Sequence, residues 1–114
     1  MKLLIAGSRN IDTFNLSEHI PEETDLIICG GAKGIDRIAE RYADLHKISK
    51  LVLLPQYRRY GKGAPLKRNE TMVDIADRVL IVWDGLSRGT KYTIEYAKKI
   101  GKPIQILTVE DSIR

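Results

Sequence analysis

Cysteine and histidine are scarce in this sequence. Cys29 is the single cysteine and there are two histidines among 114 residues, so no disulfide can form within the chain and a metal centre would lack ligands. A lone thiol also fits a reducing compartment. We therefore expect no metal and no cofactor, a core position for Cys29, and surface or packing positions for His19 and His46, which fall in helical patterns.

Long apolar runs are missing as well. No stretch approaches the roughly 20 apolar residues of a membrane-spanning helix. The run after Met1-Lys2 is too short for the core of a signal peptide, because Gly7 interrupts it. We therefore expect a cytoplasmic protein with no membrane partner. Aromatic residues are few, at 6%, and the net charge of +4 favours anionic ligands without choosing among them.

Five short apolar runs are what the sequence does contain. They predict strands over residues 2–6, 25–29, 50–54, 78–83 and 103–109. Their centres, such as LLIA and VLIV, are continuous rather than alternating, which is typical of parallel strands that are covered on both faces. A chain of this length is expected to form a single domain, which we place over residues 1–114.

Helical patterns separate these runs. Apolar residues at spacings of three and four predict helices over residues 12–20, 34–47, 64–76 and 90–100, with Leu66 and Ile100 among the inward positions. Parallel strands joined through helices form right-handed crossovers. The sequence therefore predicts an α/β fold: a single three-layer α/β/α Rossmann-like domain around a five-stranded parallel sheet.

Glycine-containing loops follow the first, second and fourth predicted strands. Strand-to-helix loops of a parallel sheet emerge at its carboxyl edge, so these loops should meet there. Glycine lets backbone N–H groups approach an anion, and neighbouring hydroxyl and basic side chains add hydrogen bonds and charge. A phosphate-binding site is predicted, although tight turns alone would explain any one loop. The predicted ligand-binding residues in these loops are Gly7, Ser8, Arg9, Gly30, Gly31, Lys33, Gly34, Gly85, Ser87, Arg88, Gly89 and Thr90.

Two widespread phosphate motifs are absent from these loops. The segment GGAKG lacks the lysine-then-hydroxyl ending of a P-loop, and no G-x-G-x-x-G fingerprint occurs. Both absences disfavour a generic kinase, GTPase or dehydrogenase.

The most basic segment covers residues 55–70 and contains the run YRRYGKG. Its glycines and prolines predict a mobile loop over residues 57–63. The tyrosines could stack on bases while the cations meet phosphates, or the segment could be a solvated charged loop. Lys67 and Arg68 fall in the first turn of a predicted helix, where the helix dipole disfavours cations. Cations at this position therefore favour an anionic ligand. Trp83, at the end of the fourth strand, could cover a bound base or pack in the core.

Four motifs in this order resemble those of the SLOG superfamily. They are Gly7-Ser8-Arg9, Gly30-Gly31-Ala32-Lys33-Gly34-Ile35-Asp36, Lys67-Arg68-Asn69-Glu70-Thr71-Met72 and Ser87-Arg88-Gly89-Thr90. The chain most resembles the small stand-alone YspA-like branch, from Met1 to about Val109. The resemblance implies the strand order 3-2-1-4-5 and a nucleotide or nucleotide-derived ligand at the carboxyl edge, with Arg68 and Asn69 among the binding residues. It also allows a homodimer, since relatives with this fold are commonly dimers.

Two relatives in this superfamily imply competing functions. The Lonely Guy enzymes hydrolyse the N-glycosidic bond of nucleoside monophosphates, and Arg68 and Met72 match their arginine and methionine. They also carry a glutamate three residues after the Gly-Thr pair, where this sequence has Thr93. A hydroxyl cannot stabilise a developing oxocarbenium charge as a carboxylate does, so whether the protein is an enzyme stays open. The candidate catalytic residues are Arg68, Asp36, Asp84 and Glu95, of which Glu95 should point to another side of its helix.

The second relative is the DNA-processing Smf type (Smf/DprA). These proteins bind single-stranded DNA through a basic surface of the same fold, and the YRRYGKG run fits that behaviour. Three hypotheses therefore follow from the sequence. Nucleotide binding is favoured, and a nucleotide N-glycosidase and a single-stranded DNA-binding protein are the alternatives.

Overall fold

Five parallel strands form one sheet. A computed structural model describes residues 1–109 of the chain. The strands are β1 (Lys2–Gly7), β2 (Leu26–Cys29), β3 (Ser49–Val52), β4 (Arg78–Trp83) and β5 (Ile104–Thr108). Their order in the sheet is β3-β2-β1-β4-β5. The predicted α/β class, the five parallel strands and their order are confirmed, while residues 110–114 of the predicted domain lie outside the described residues.

Helices cover both faces of this sheet. They are α1 (Ile35–Leu45), α2 (Tyr57–Tyr60), which a 3₁₀ turn (Gly61–Gly63) joins to α3 (Ala64–Ile75), and α4 (Arg88–Lys99). The core residues of α1 pack on one face of the sheet, and those of α3 and α4 pack on the other. Within residues 1–109, no helix has the length and apolar character needed to cross a membrane.

The central strands are buried on both faces. Leu3, Leu4, Ile5 and Ala6 of β1 are all buried. Successive side chains of a strand point to opposite faces of the sheet. Leu3 and Ile5 accordingly join the core that contains α1, while Leu4 and Ala6 join the core beneath α3 and α4. The continuous apolar run of β1 thus supplies both cores, and the predicted three layers are confirmed.

The edge strand β3 is more exposed than the sequence predicts. It begins at Ser49, and both Lys50 and Leu51 are exposed. As the outermost strand, it has a neighbour on the β2 side alone. The inward positions predicted for Leu66 and Ile100 are wrong as well, since these side chains are 38% and 43% exposed. Leu66 lies in the first turn of α3, and Ile100 directly follows the last residue of α4.

The helix predicted over residues 12–20 is wrong. The connection between β1 and β2 is irregular and contains only isolated turns. Ile11 and Leu16 are buried and fix this connection against the core that contains α1. The side chain of Asn15 accepts a hydrogen bond from the backbone N–H of Ser17 at 3.0 Å. Such local side-chain bonds compete with helical hydrogen bonding, so the apolar spacing alone is misleading here.

The loop predicted over residues 57–63 is also wrong, because this segment is helical. The carbonyl oxygen of Gln56 accepts hydrogen bonds from the backbone N–H groups of Arg59 and Tyr60. After Tyr60, the 3₁₀ turn leads into α3 without a gap. The basic and aromatic side chains of this segment are therefore carried by a helical turn that continues into a long helix.

Candidate functional site

A cavity of about 470 Å³ lies at the carboxyl edge of the sheet. It opens where the chain order reverses, between the loop after β2 on one side of β1 and the loop after β4 on the other, and α3 forms a further wall. Small-molecule sites commonly have volumes of about 300 to 1,000 Å³ and lie at such reversals. The lining residues are Ala6, Gly7, Arg9, Gly30, Gly31, Ala32, Asp36, Leu54, Pro55, Tyr57, Pro65, Arg68, Asn69, Met72, Ser87, Gly89, Thr90 and Thr93.

Most of the predicted site residues meet at this cavity. All three glycine-containing loops contribute, through Gly7, Arg9, Gly30, Gly31, Ser87, Gly89 and Thr90, and α3 contributes Arg68 and Asn69. Sequence reasoning assigned no ligand-binding role to the apolar part of the wall, which includes Leu54, Pro55 and Pro65. Leu54 and Pro55 follow β3 and emerge at the same edge of the sheet, so the rule that selected the glycine loops applies to them too.

Seven predicted residues do not line the cavity: Ser8, Lys33, Gly34, Gly85, Arg88, Asp84 and Glu95. Lys33 and Arg88 are exposed beside residues that line it, while Glu95 is exposed on α4. Ser8 is fully buried, and its Oγ accepts a hydrogen bond from the backbone N–H of Asp84 at 2.9 Å. Ser8 therefore joins the loop after β1 to the loop after β4.

Asp84 anchors the loop that precedes α4. Its carboxylate accepts hydrogen bonds from the backbone N–H groups of Leu86 and Ser87, both at 2.8 Å. Burial opposes ionisation of Asp84, but these hydrogen bonds, together with those of Ser8 and Asn10, outweigh it and lower the pKa of the carboxyl. A carboxyl with a lowered pKa that lies outside the cavity is poorly suited to act as a general acid on a ligand there.

Gly34 allows two loops to approach each other closely. Its φ is +81°, and a Cβ at this position would lie 2.6 Å from both the Cα and the carbonyl oxygen of Arg9. Any side chain would therefore force the loop after β2 away from the loop after β1. The role of Gly34 is to bring Gly31 and Arg9 to the same cavity, although it does not line the cavity itself.

Arg68 is held in a fixed orientation by its neighbours. Its Nη1 donates hydrogen bonds to the carbonyl oxygens of Gly30, at 2.5 Å, and Leu53, at 3.1 Å. Its Nε donates to Oδ1 of Asn69 at 2.7 Å. Among the described residues, Nη2 has no hydrogen-bond partner. The guanidinium group is therefore positioned at the cavity wall with donor capacity left for a ligand.

Asp36 is a buried carboxylate that lines the cavity. It lies in the first turn of α1, and its Oδ2 accepts a hydrogen bond from the backbone N–H of Ala32 at 3.2 Å. Burial raises the pKa of Asp36, and this effect exceeds the opposing effects of the Ala32 hydrogen bond and the Arg68 charge. Among the candidate catalytic carboxylates, Asp36 is the one that reaches the cavity.

A chain of hydrogen bonds connects α3 to the first turn of α4. Nδ2 of Asn69 donates to Oγ1 of Thr93 at 2.9 Å, and Oγ1 of Thr93 donates to the carbonyl oxygen of Gly89 at 3.0 Å. The Thr93 hydroxyl, at the position of the Lonely Guy glutamate, is thus engaged within the protein. No side chain caps α4. The N–H groups of its first turn therefore remain available beside Gly89 and Thr90.

Cys29, Trp83 and His19 do not line the cavity. Cys29 is fully buried in the core, as predicted, and burial raises the pKa of its thiol to about 12. Trp83 packs against the core beneath α3 and α4 and donates from Nε1 to the carbonyl oxygen of Ser87 at 3.1 Å. This position favours core packing over stacking on a ligand. His19 stacks on Phe14 in a turn rather than in the predicted helix.

Comparisons with known proteins add one relative. No family model matches the sequence, and no solved structure matches it. The Gene 61 protein of Mycobacterium phage D29 is 32% identical over 85 residues, which cover 69% of this chain and 68% of the phage protein. The name of the phage protein states no activity. Within residues 1–109, no group of three or more His, Cys, Asp or Glu side chains could hold a metal ion. On the extent and identity of this match, the chain belongs to the family of the Gene 61 protein of Mycobacterium phage D29.

Proposed function

We propose that this protein binds a nucleotide or a nucleotide-derived phosphate compound in the cavity at the carboxyl edge of the sheet. The observation that carries this proposal is the fixed guanidinium group of Arg68 at the cavity wall, with Nη1 and Nε occupied and Nη2 without a partner in the described residues. Arginine donates readily to phosphate oxygens, and a fixed side chain loses little further entropy on binding.

The first turn of α4 supplies further donors at the same cavity. Gly89 and Thr90 lie in the uncapped first turn of α4, where backbone N–H groups and the helix dipole favour negative charge. Arg9 adds a second cation at the cavity. A charge-assisted hydrogen bond contributes about 1.5 to 3 kcal/mol. Three such bonds and the burial of a base together approach the roughly 8 kcal/mol of micromolar binding.

The apolar part of the wall suits a nucleobase and a sugar. Leu54, Pro55, Pro65 and Met72 line the cavity together with Tyr57, whose side chain is 60% exposed. Ligand sites typically combine apolar and aromatic walls with a few fixed polar groups. The cavity thus combines hydrogen-bond donors and cations with apolar and aromatic side chains. This combination supports a ligand with one anionic end and one flat apolar end.

Calorimetric titration tests the proposal. The titrants are the four nucleoside 5′-monophosphates and ADP-ribose, with adenosine as the compound that lacks a phosphate. We expect micromolar binding of at least one phosphate compound. Adenosine should bind at least about tenfold more weakly. Arg9→Ala should weaken binding of the phosphate compound about tenfold. Arg41→Ala, which removes an exposed cation of α1, is the matched control. No binding of any phosphate compound by the folded protein would contradict the proposal.

A second candidate ligand is single-stranded nucleic acid. It is supported by α2, on which Tyr57 lines the cavity while Arg58 and Arg59 are exposed beside it. Aromatic side chains can stack on bases while cations meet the phosphate backbone. Gel retardation of an oligothymidylate should then weaken steeply with salt and in Arg58→Ala/Arg59→Ala. It should persist in Lys98→Ala/Lys99→Ala, which removes two exposed cations from the end of α4. Unchanged mobility at low salt would rule out this candidate.

A further inference from the structure

A second, smaller cavity adjoins the first. Its volume is about 240 Å³, and it shares Leu54 and Arg68 with the larger cavity. It lies between the segment after β3, the helical segment of α2 and the first two turns of α3. Its lining residues are Leu53, Leu54, Gln56, Arg59, Tyr60, Ala64, Lys67, Arg68 and Thr71.

The charged side chains in the wall of this second cavity are cations. Arg59, Lys67 and Arg68 all line it, and within the described part of the chain no carboxylate does. Two of these cations contact the ring of Tyr60, with the Arg59 guanidinium carbon 5.2 Å and Lys67 Nζ 6.0 Å from the ring centroid. These contacts keep both positive groups close to the cavity.

Protein carboxylates neutralise these cations only in part: Lys67 pairs with Glu70, and Asp36 acts on Arg68, while Arg59 has no ion pair within residues 1–109. Lys67 Nζ lies 3.6 Å from Oε1 of Glu70, but Glu70 lines neither cavity and also accepts a hydrogen bond from the Tyr92 hydroxyl. Lys67 is the fourth residue of α3 and lies close to the positive end of the helix dipole. The first turn of α3 contains no acidic residue that would offset this positive charge. Three cations gathered in this way repel one another in the free protein and together attract an anion.

We propose that the second cavity binds a second anionic group of the ligand, so that the ligand is an elongated nucleotide derivative rather than a simple mononucleotide. This inference rests on the proposed nucleotide binding in the larger cavity. Arg68 contacts both parts of the ligand, because it belongs to both walls. Leu54 forms the apolar surface that the ligand crosses between the two cavities.

Calorimetry with matched ligands tests this inference. The ligands are AMP, ADP-ribose and the 5′-phosphorylated dinucleotide pApA, each of the last two carrying a second phosphate. We expect at least one of these two to bind about tenfold or more tightly than AMP, as one added charge-assisted contact would produce. In Arg59→Ala/Lys67→Ala, the dissociation constant of AMP divided by that of the tighter-binding longer ligand should fall towards one. In Arg41→Ala/Lys91→Ala, which removes two exposed cations outside both cavities, the ratio should stay unchanged.

The outcomes separate this inference from the proposed function. Binding of AMP with no gain for either longer ligand would overturn the second subsite while supporting nucleotide binding. A gain that survives in Arg59→Ala/Lys67→Ala would likewise overturn it. If none of the three ligands binds to the folded protein, the second subsite fails; if the other three nucleoside monophosphates do not bind either, the proposed nucleotide binding fails with it. Tighter binding of an oligothymidylate than of pApA, lost in the same variant, would replace the small ligand by a nucleic acid strand.

Discussion

The Nη1 atom of Arg68 donates a hydrogen bond to the carbonyl oxygen of Gly30 at 2.5 Å, and thereby joins α3 to the loop after β2. The two residues are 38 positions apart in the sequence. This contact fixes the position of a cation at the cavity and the shape of a glycine loop at the same time. An anion that binds to this wall therefore meets groups that are already in place, which lowers the entropic cost of binding.

Gly30→Ala should disrupt this arrangement. A Cβ at residue 30 would lie 2.7 Å from Nη1 of Arg68 and 2.9 Å from Oδ2 of Asp36, so both side chains would have to move. We expect a decrease of about 1 to 3 kcal/mol in the free energy of unfolding, measured by urea denaturation, since overpacking has costs of this size. The ligand identified by calorimetry should also bind at least tenfold more weakly. Gly63→Ala is the control, because its φ is negative and nothing lies within 4 Å of the added Cβ. Equal stability of the two variants would contradict the expected crowding at Gly30.

Ser8→Ala should destabilise the protein although Ser8 does not touch the cavity. The substitution removes the acceptor of the Asp84 backbone N–H, and leaving this partly buried donor without a partner should cost about 1 kcal/mol, the lower end of the range for buried donors. Urea denaturation should show this loss in the free energy of unfolding. Ser17→Ala, at an exposed position, should change it by less than about 0.5 kcal/mol. If the two variants unfold at the same urea concentration, the Ser8 hydroxyl does not hold the two loops together.

Asp36 should make stability depend on pH in a defined direction. Its pKa in the folded protein is raised above the ordinary value of 3.8. Between pH 3.8 and this raised pKa, the folded state therefore binds more protons than the unfolded state. The contribution of Asp36 to stability is therefore full below about 3.8 and is lost as the pH rises through the raised pKa. Asp36→Asn keeps an acceptor for the Ala32 N–H and removes this dependence. The free energy of unfolding of the variant minus that of the wild type, measured from pH 3 to 7, should rise with pH and then level off. A difference that falls over this range would contradict the burial of the charge.

The fold follows from features that are written in the sequence. The continuous apolar run from Leu3 to Ala6 requires cover on both faces of β1, and a sheet covered on both faces by crossover helices must be parallel. The connection through Ile11 and Leu16 could not be predicted in this way. Its two buried side chains hold the segment against the core without any regular hydrogen-bond pattern. Spacing alone cannot distinguish such anchors from the face of a helix.

The candidate site could be predicted in position but not in detail. The rule that parallel strands end at one edge brought Gly30, Ser87 and Arg9 together correctly. The rule does not tell which side chains of a loop face the cavity. Lys33 and Arg88 are therefore among the predicted ligand-binding residues, although they are exposed beside the cavity and do not line it. The direction of a side chain depends on the local turn, which tertiary contacts such as those of Gly34 determine.

A titration of the ¹⁵N-labelled protein with AMP, followed by amide chemical shifts, tests the central claim most directly. Adenosine serves as the control that has the same base and sugar but no phosphate. Our account predicts that AMP shifts the amide signals of Gly30, Gly31, Gly89 and Thr90 at concentrations at which adenosine leaves them unchanged. Shifts that AMP and adenosine produce equally, or that spare these four amides, would contradict a phosphate site at the carboxyl edge of the sheet.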